Sequence, residues 1–373
     1  MRLSVNGPGD RGGMALEALH ARYVPILHFA SGERFYPMAV HDFLAYCTLR
    51  QKGSGNPLVR QGHITPSLIA RAYSGSVDVY LQSVAGELAD QNVVARWSKD
   101  LWRSTLDVSH RVRHWREELA REAYQWFSPK TKTATELFWW NDLIMPLMSV
   151  GRRSKTDLPR LSLPPEIRQA AVENYEGSQH PQPNYTYYYR TTRDSEYLCL
   201  QYWFFYAFND WATAFGGMND HEGDWEGVHL FFSLDSKGWP QEPPAYVTFA
   251  GHHSRLTKPW KHHDVILDGT HPVAYVAAGS HATYPERKRY DLIKVYDLVD
   301  HATGGGRTIQ PSDWRQRIPL SGEPWSTGFL GAWGTRYWLP ATWQSQILGT
   351  LQAGIDEFGL PGVSAPRGYG RRH

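Results

Sequence analysis

The chain has 373 residues, enough for two ordinary domains or one large domain with an annex. A formal charge of +2 excludes an electrostatically driven nucleic-acid partner, and two distant cysteines, Cys47 and Cys199, exclude a disulfide-stapled secreted scaffold. Aromatic residues make up 14%, with 16 Trp and 21 Tyr, and these residues favour pleated, half-buried surfaces over helical ones.

Residues 1–13 are Gly-rich, carry no apolar signal-peptide core and are expected to be disordered. No run of 18 apolar residues occurs, so no spanning helix is expected. The default compartment is then cytoplasmic, with peripheral membrane association open. Residues 14–62 are expected to begin a β core: MALEALHARY (14–23) reads as a short helix, the following VPILHF as a buried strand, and ASGERFYP as a turn.

Residues 63–160 are expected to be a helical region, with helices from 77 to 127. Val108, Val112, Trp115, Leu119, Ala123 and Trp126 recur at three- and four-residue spacing and draw one apolar stripe beside net basic charge. Such a helix packs on a domain or lies on a membrane surface. LFWWNDLIMPLMSV (137–150) is too short to span a bilayer and is interrupted by Asn141, Asp142 and Pro146, so it reads as core. The polar stretch 151–184 holds the domain boundary, with 161–183 as a linker.

From 184 to 340 the period changes. NYTYYYR, EYLCLQYWFFYAF, DWEGVHLFFSL, PAYVTFAGHH and HPVAYVAAGS are aromatic or β-branched runs separated by Gly, Pro, Asn and Asp. The spacing predicts an α+β protein: an antiparallel β-sandwich core with a helical insertion or annex. The triplet Gly304 to Gly306 reads as a flexible loop, and Trp343, Ile347, Leu351, Ile355 and Phe358 suggest a helix within the tail 341–373.

The chemistry concentrates before and within DWEGVHLFF. Between Arg193 and Lys237 there is no Lys or Arg, yet Asp210, Asp220, Glu222, Asp224 and Glu226 crowd between two apolar strands. Carboxylates packed without a base repel and lose hydration, and a bound cation removes both costs. In a strand that begins at Asp224, the period of two puts Asp224 and Glu226 on one face, and His221 folds over them from the preceding turn. His221, Asp224 and Glu226, with Asp210 and His281, are therefore the candidate ligands of a divalent metal ion. The oxygen-rich set favours Mg²⁺, Ca²⁺ or Mn²⁺ over Zn²⁺. His252 is a further candidate at a neighbouring strand end. No GxSxG, Walker A, GxGxxG or HExxH motif is present.

QYWFFYAFND, NDHEGDWEGVHLFF and GTHPVAYVAAGSHATYP resemble the vacuolar protein sorting-associated protein 62 family, with looser similarity in PILHFASGERFYP and WSTGFLGAWG. More distantly, His221 and Asp224-Trp225-Glu226 resemble the GHRHDWE heptad of the necrosis- and ethylene-inducing-peptide-like toxins, although Glu222 and Gly223 intervene here. That resemblance implies a β-sandwich whose acidic and His residues hold a divalent cation beside a lipid head-group site.

Three readings follow. The first is a metal-bearing module that recognises a lipid or glycan head group. The second is a metal-dependent hydrolase with Glu222 or His281 as the catalytic base. The third is a structural acidic cluster without metal, paired with a base such as Arg190 or Arg287.

Overall fold

The computed structural model describes residues 10–51, 54–72, 79–83, 165–175, 184–193, 196–210, 221–250, 255–293, 298–329 and 331–334. In chain order the elements begin with α1 (Asp10–Tyr23), β1 (Ile26–Ala30), α2 (Val40–Leu44), β2 (Cys47–Gln51), α3 (Pro66–Ala72), β3 (Val79–Ser83) and α4 (Pro165–Tyr175). The long strands follow: β4 (Thr186–Arg193), β5 (Tyr197–Asn209), β6 (His221–Ser233), β7 (Tyr246–Ala250) and β8 (Arg255–Pro259). Then come β9 (Leu267–Asp268), β10 (His271–Val276), β11 (Thr283–Tyr284), β12 (Lys288–Ile293), β13 (Leu298–Ala302), β14 (Gly305–Ile309) and β15 (Gln316–Pro319). A 3-10 turn (Leu320–Gly322) and α5 (Trp325–Gly328) close the described chain.

The central layer is a six-stranded sheet in the order β15-β4-β5-β6-β7-β8, and a second sheet runs β11-β10-β1-β14 with β9 beside β10. Strands β5 and β6, 13 residues each, pair antiparallel from Tyr197↔Ser233 to Asn209↔His221. The expectation of a purely antiparallel fold needs correction, because β1 runs parallel to β10 and β15 parallel to β4. Parallel neighbours need long crossover connections, and this chain supplies them by pairing an early strand with a late one.

Both faces of the central sheet are buried. Leu198, Leu200, Tyr202, Phe204 and Tyr206 of β5 share a core with Leu27 and Phe29 of β1, Ala274 and Val276 of β10, and Ile309 of β14. The alternate residues Cys199, Trp203, Phe205 and Ala207 pack with Phe43 of α2, Leu49 of β2, Ile69 of α3, Ile167 and Ala171 of α4, and Trp325 and Trp333. A strand buried on both faces carries a continuous apolar run instead of alternating polarity, and YLCLQYWFFYAFN is such a run.

Two segments depart from expectation. Residues 79–83, expected within the helical region 63–160, form β3, which pairs with β2. The alternating VDVYL favours a strand once the β2 edge is available. The expected linker 161–183 contains α4, whose Ile167, Ala170, Ala171 and Tyr175 make one buried face. The glycine triplet is also no loose loop. Gly304 and Gly305 turn the chain at positive φ, and a Cβ on Gly306 would meet the Ala30 carbonyl oxygen at 2.2 Å, so β14 approaches β1 through glycine. Cys47 and Cys199 are free and buried. The stripe from Val108 to Trp126, the segment 137–150 and the tail helix lie outside the described residues. No described helix is long and apolar enough to cross a membrane.

His20, at the end of α1, is buried between Tyr189 and Tyr202, with Nε2 2.9 Å from Thr191 Oγ1. Burial holds its pKa down at about 3, against an ordinary 6.5. In that window the unfolded chain takes a proton that the folded chain refuses, so this part of the stability is intact above pH 6.5 and lost as the pH falls. Urea denaturation from pH 7 to 4 is expected to show a slope of up to about 1.4 kcal/mol per pH unit from this group, absent in His20→Gln. Equal slopes in the two proteins would refute the assignment.

Candidate functional site

Strand β6 begins at His221, so this residue opens the strand instead of sitting in a turn before it. Within the strand, Gly223 at φ 68 breaks the side-chain alternation. Glu222 goes to the helix-covered face, where it accepts hydrogen bonds from the Ser83 backbone N–H at 3.2 Å and from the Ser83 hydroxyl. Asp224 goes to the opposite face. Only glycine fits between them, because a Cβ there would lie 2.5 Å from the Trp333 carbonyl oxygen.

On the Asp224 side the structure brings together residues far apart in sequence. Asp224 Oδ2 accepts from Asn209 Nδ2 and from His281 Nδ1, each at 3.0 Å, and Asp224 Oδ1 lies 3.6 Å from His221 Nε2. His281 is fully buried in the turn from β10 to β11, at φ 57, a conformation that a non-glycine residue holds only under tertiary constraint. Its ring stacks on Tyr206 at 3.9 Å, and its Nε2 faces Glu33 Oε1 at 3.5 Å. Glu33 follows β1. Its carboxylate also accepts backbone N–H bonds from Arg34 at 2.9 Å, Phe35 at 3.0 Å and Gly279 at 2.9 Å.

The electrostatics follow from this geometry. Burial works against a charge on His281, but Glu33 and Asp224 outweigh it and hold its pKa up at about 9, so the ring is an imidazolium at neutral pH. Burial would also raise Asp224, yet hydrogen bonds from His221 and His281 hold it well below the usual carboxylate range. Glu33 is likewise lowered, its burial outweighed by the His281 charge. Burial lifts Asp210 to about 6, opposed by Arg168 of α4, whose Nε is 2.9 Å from Asp210 Oδ1. Glu226 is pushed well above its normal value by burial and then by Asp224 and Asp300. Asp300 accepts from Ser280 Oγ at 2.8 Å and from Tyr284 OH at 2.5 Å.

Of the expected ligands, His221, Asp224, Glu226, Asp210 and His281 thus lie in one neighbourhood, and His252 lies outside the described residues. Glu222 faces away. His281 turns both ring nitrogens toward carboxylates, Nδ1 to Asp224 at 3.0 Å and Nε2 to Glu33 at 3.5 Å, and so supplies charge and orientation to the cluster. The basic partners found here are His281 and Arg168. Glu33, Asn209, Tyr206 and Asp300 were missed by sequence reasoning. Only ASGERFYP offered a signal, as an acid in a turn after a buried strand.

An oxygen-preferring cation fits the chemistry of this donor set. Asn209 Oδ1 and Tyr206 OH are buried polar atoms without a hydrogen-bond partner among the described residues, and Tyr206 shares the electrostatic environment of Glu226 and Asp224. Among the described residues Glu226 has no basic partner. The ligand atoms of His221, Asp224 and Glu226 are not gathered within 4.8 Å of one another, so a cation there has to draw Glu226 inward.

No family model and no curated protein matches the chain, so the resemblance to the vacuolar protein sorting 62 family rests on the quoted residues alone. Among solved structures, necrosis and ethylene inducing protein 2 from the causal agent of cocoa's witches' broom disease is 16% identical over 37% of this chain and 52% of that one, at a TM-score of 0.22. NLPPya in complex with glucosamine is 14% identical over 37% and 50%, at 0.23. A non-toxic HaNLP3 protein is 13% identical over 38% and 54%, at 0.22. The chain spans about half the length of these structures.

Replacing His281 by Asn leaves two buried carboxylates without their counter-charge. The expected cost is about 3–5 kcal/mol in chemical denaturation at pH 7. A loss below about 1 kcal/mol would show that the ring is not charged in the fold.

Proposed function

We propose that this chain is a cation-dependent binding module. Asp224 and Glu226, with His221 and Asp210 at the margin, hold a divalent ion of the Mg²⁺, Ca²⁺ or Mn²⁺ class. The ion's remaining positions take hydroxyl or phosphate oxygens of a glycan or lipid head group. In this reading the two large sheets are the layers of a β-sandwich, and the ion sits at their common edge.

One observation carries the reading. Among the described residues Glu226 meets only acids on its charged sides, Asp224 and Asp300, while Tyr206 OH, which feels both Glu226 and Asp224, and Asn209 Oδ1, whose amide nitrogen donates to Asp224, have no hydrogen-bond partner. An acid held among acids loses its proton only at a cost, and a cation beside those oxygens removes that cost. His281 and Glu33 then act as the rigid support that fixes Asp224. The hydrolase reading is less well supported, because Glu222 lies on the other face and His281 is a protonated donor.

The test is thermal denaturation after chelator treatment, with Ca²⁺, Mg²⁺ or Mn²⁺ added back. An ion at a hundred times its dissociation constant is expected to stabilise wild type by about 2.7 kcal/mol and Glu226→Gln not at all. Without ion, Glu226→Gln is expected to be at least as stable as wild type, since it removes a repelled carboxylate. Flotation with liposomes bearing glycosylated or anionic head groups, with and without chelator, then separates head-group binding from a purely structural ion. No stabilisation by any of the three ions would overturn the proposal.

A further inference from the structure

Away from the His281 centre, the turn after β8 carries a second donor cluster. His262, His263 and Asp264 each offer one ligand atom, and these lie within 4.8 Å of one another. It is the only such group of three among the described residues. Adjacent residues on a strand would face opposite ways, but this segment is a turn, and the two imidazoles stack at 4.3 Å with 26° between their planes. His263 Nε2 is 2.9 Å from Asp264 Oδ1, close to the separation of two donors that share one ion at about 2.0–2.2 Å each. His262 Nδ1 accepts the Asp264 backbone N–H at 3.2 Å, which orients the ring, and lies 3.4 Å from the other carboxylate oxygen.

The turn is braced at both ends. Trp260 is buried and its N–H donates to the Ala245 carbonyl at 2.9 Å. The His262 N–H donates to Pro259 O and the Val265 N–H to His262 O, both at 2.9 Å, and Val265 is buried. Lys258 holds Asp264 Oδ2 at 2.7 Å, which leaves Oδ1 turned toward His263. The His263 ring is accessible, its side chain 87% exposed, while the His262 side chain is 30% exposed. A braced turn that holds one exposed imidazole, one partly exposed imidazole and a carboxylate in place loses little entropy when it binds an ion.

We propose that His262, His263 and Asp264 form a surface site for a transition-metal ion of the Zn²⁺, Ni²⁺ or Cu²⁺ class, separate from the oxygen-rich centre at Asp224. Two nitrogen donors and one carboxylate select borderline ions over Ca²⁺ or Mg²⁺. Three protein ligands leave at least one coordination position for water or for a donor from a partner.

Isothermal titration of Zn²⁺ into the chelator-treated full chain tests this. Wild type is expected to bind one equivalent more than His262→Ala/His263→Ala, and Asp224→Asn is expected to retain that equivalent. Asp264→Asn is expected to weaken it at least tenfold. The substitutions sit in an exposed turn, and circular dichroism of the double variant checks that the fold is unchanged. Equal Zn²⁺ stoichiometry in wild type and the double variant would overturn the site. Loss of the same equivalent in Asp224→Asn would also overturn it, by moving the ion to the other centre.

Discussion

The arrangement around Asp224 depends on one buried interaction, the imidazolium of His281 held between Asp224 and Glu33. Its three members come from the loop after β1, from β6 and from the turn between β10 and β11. They therefore tie the central sheet to the second sheet at one point. Buried ion pairs add little net stability against an apolar alternative, because desolvation consumes most of the attraction. What they impose is position. With Glu33 accepting three backbone N–H groups and Tyr206 stacked on the ring, the carboxylate of Asp224 has a single place to be.

That support also explains why the neighbourhood stays acidic. One positive ring faces two carboxylates, and Arg168 is committed to Asp210. Nothing basic among the described residues remains for Glu226. Part of the interval without Lys or Arg, Asp210, Asp224 and Glu226, is thereby gathered near one end of β5 and β6. The aromatic frame contributes by exclusion: Tyr206 and Trp225, on opposite faces of the sheet, shut water out around the charged core. The low local polarity strengthens each charge–charge interaction that remains.

Much of the fold could be read along the chain. The long aromatic runs do become β4 to β7 and β10, and VPILHF does become β1. Their burial on two sides is also legible in YLCLQYWFFYAFN, which has no polar alternation. Residues 79–83 and 165–175 were misassigned because their decisive partners, the β2 edge and the apolar wall of the sheet, are remote in sequence. Propensity over a few residues cannot weigh a contact with something a hundred residues away.

The sequence by itself determined that Asp224, Trp225 and Glu226 sit on a strand and that acids gather there without bases. Those properties are local, set by period, composition and spacing. Only the tertiary structure decided that Glu222 and Asp224 part to opposite faces at Gly223 and that Glu33 reaches His281. It also decided that this histidine ring lies between two carboxylates. Those outcomes rest on a positive φ braced by Trp333 and on the pairing of a carboxylate near the start of the chain with a ring near its end, and no local pattern encodes either.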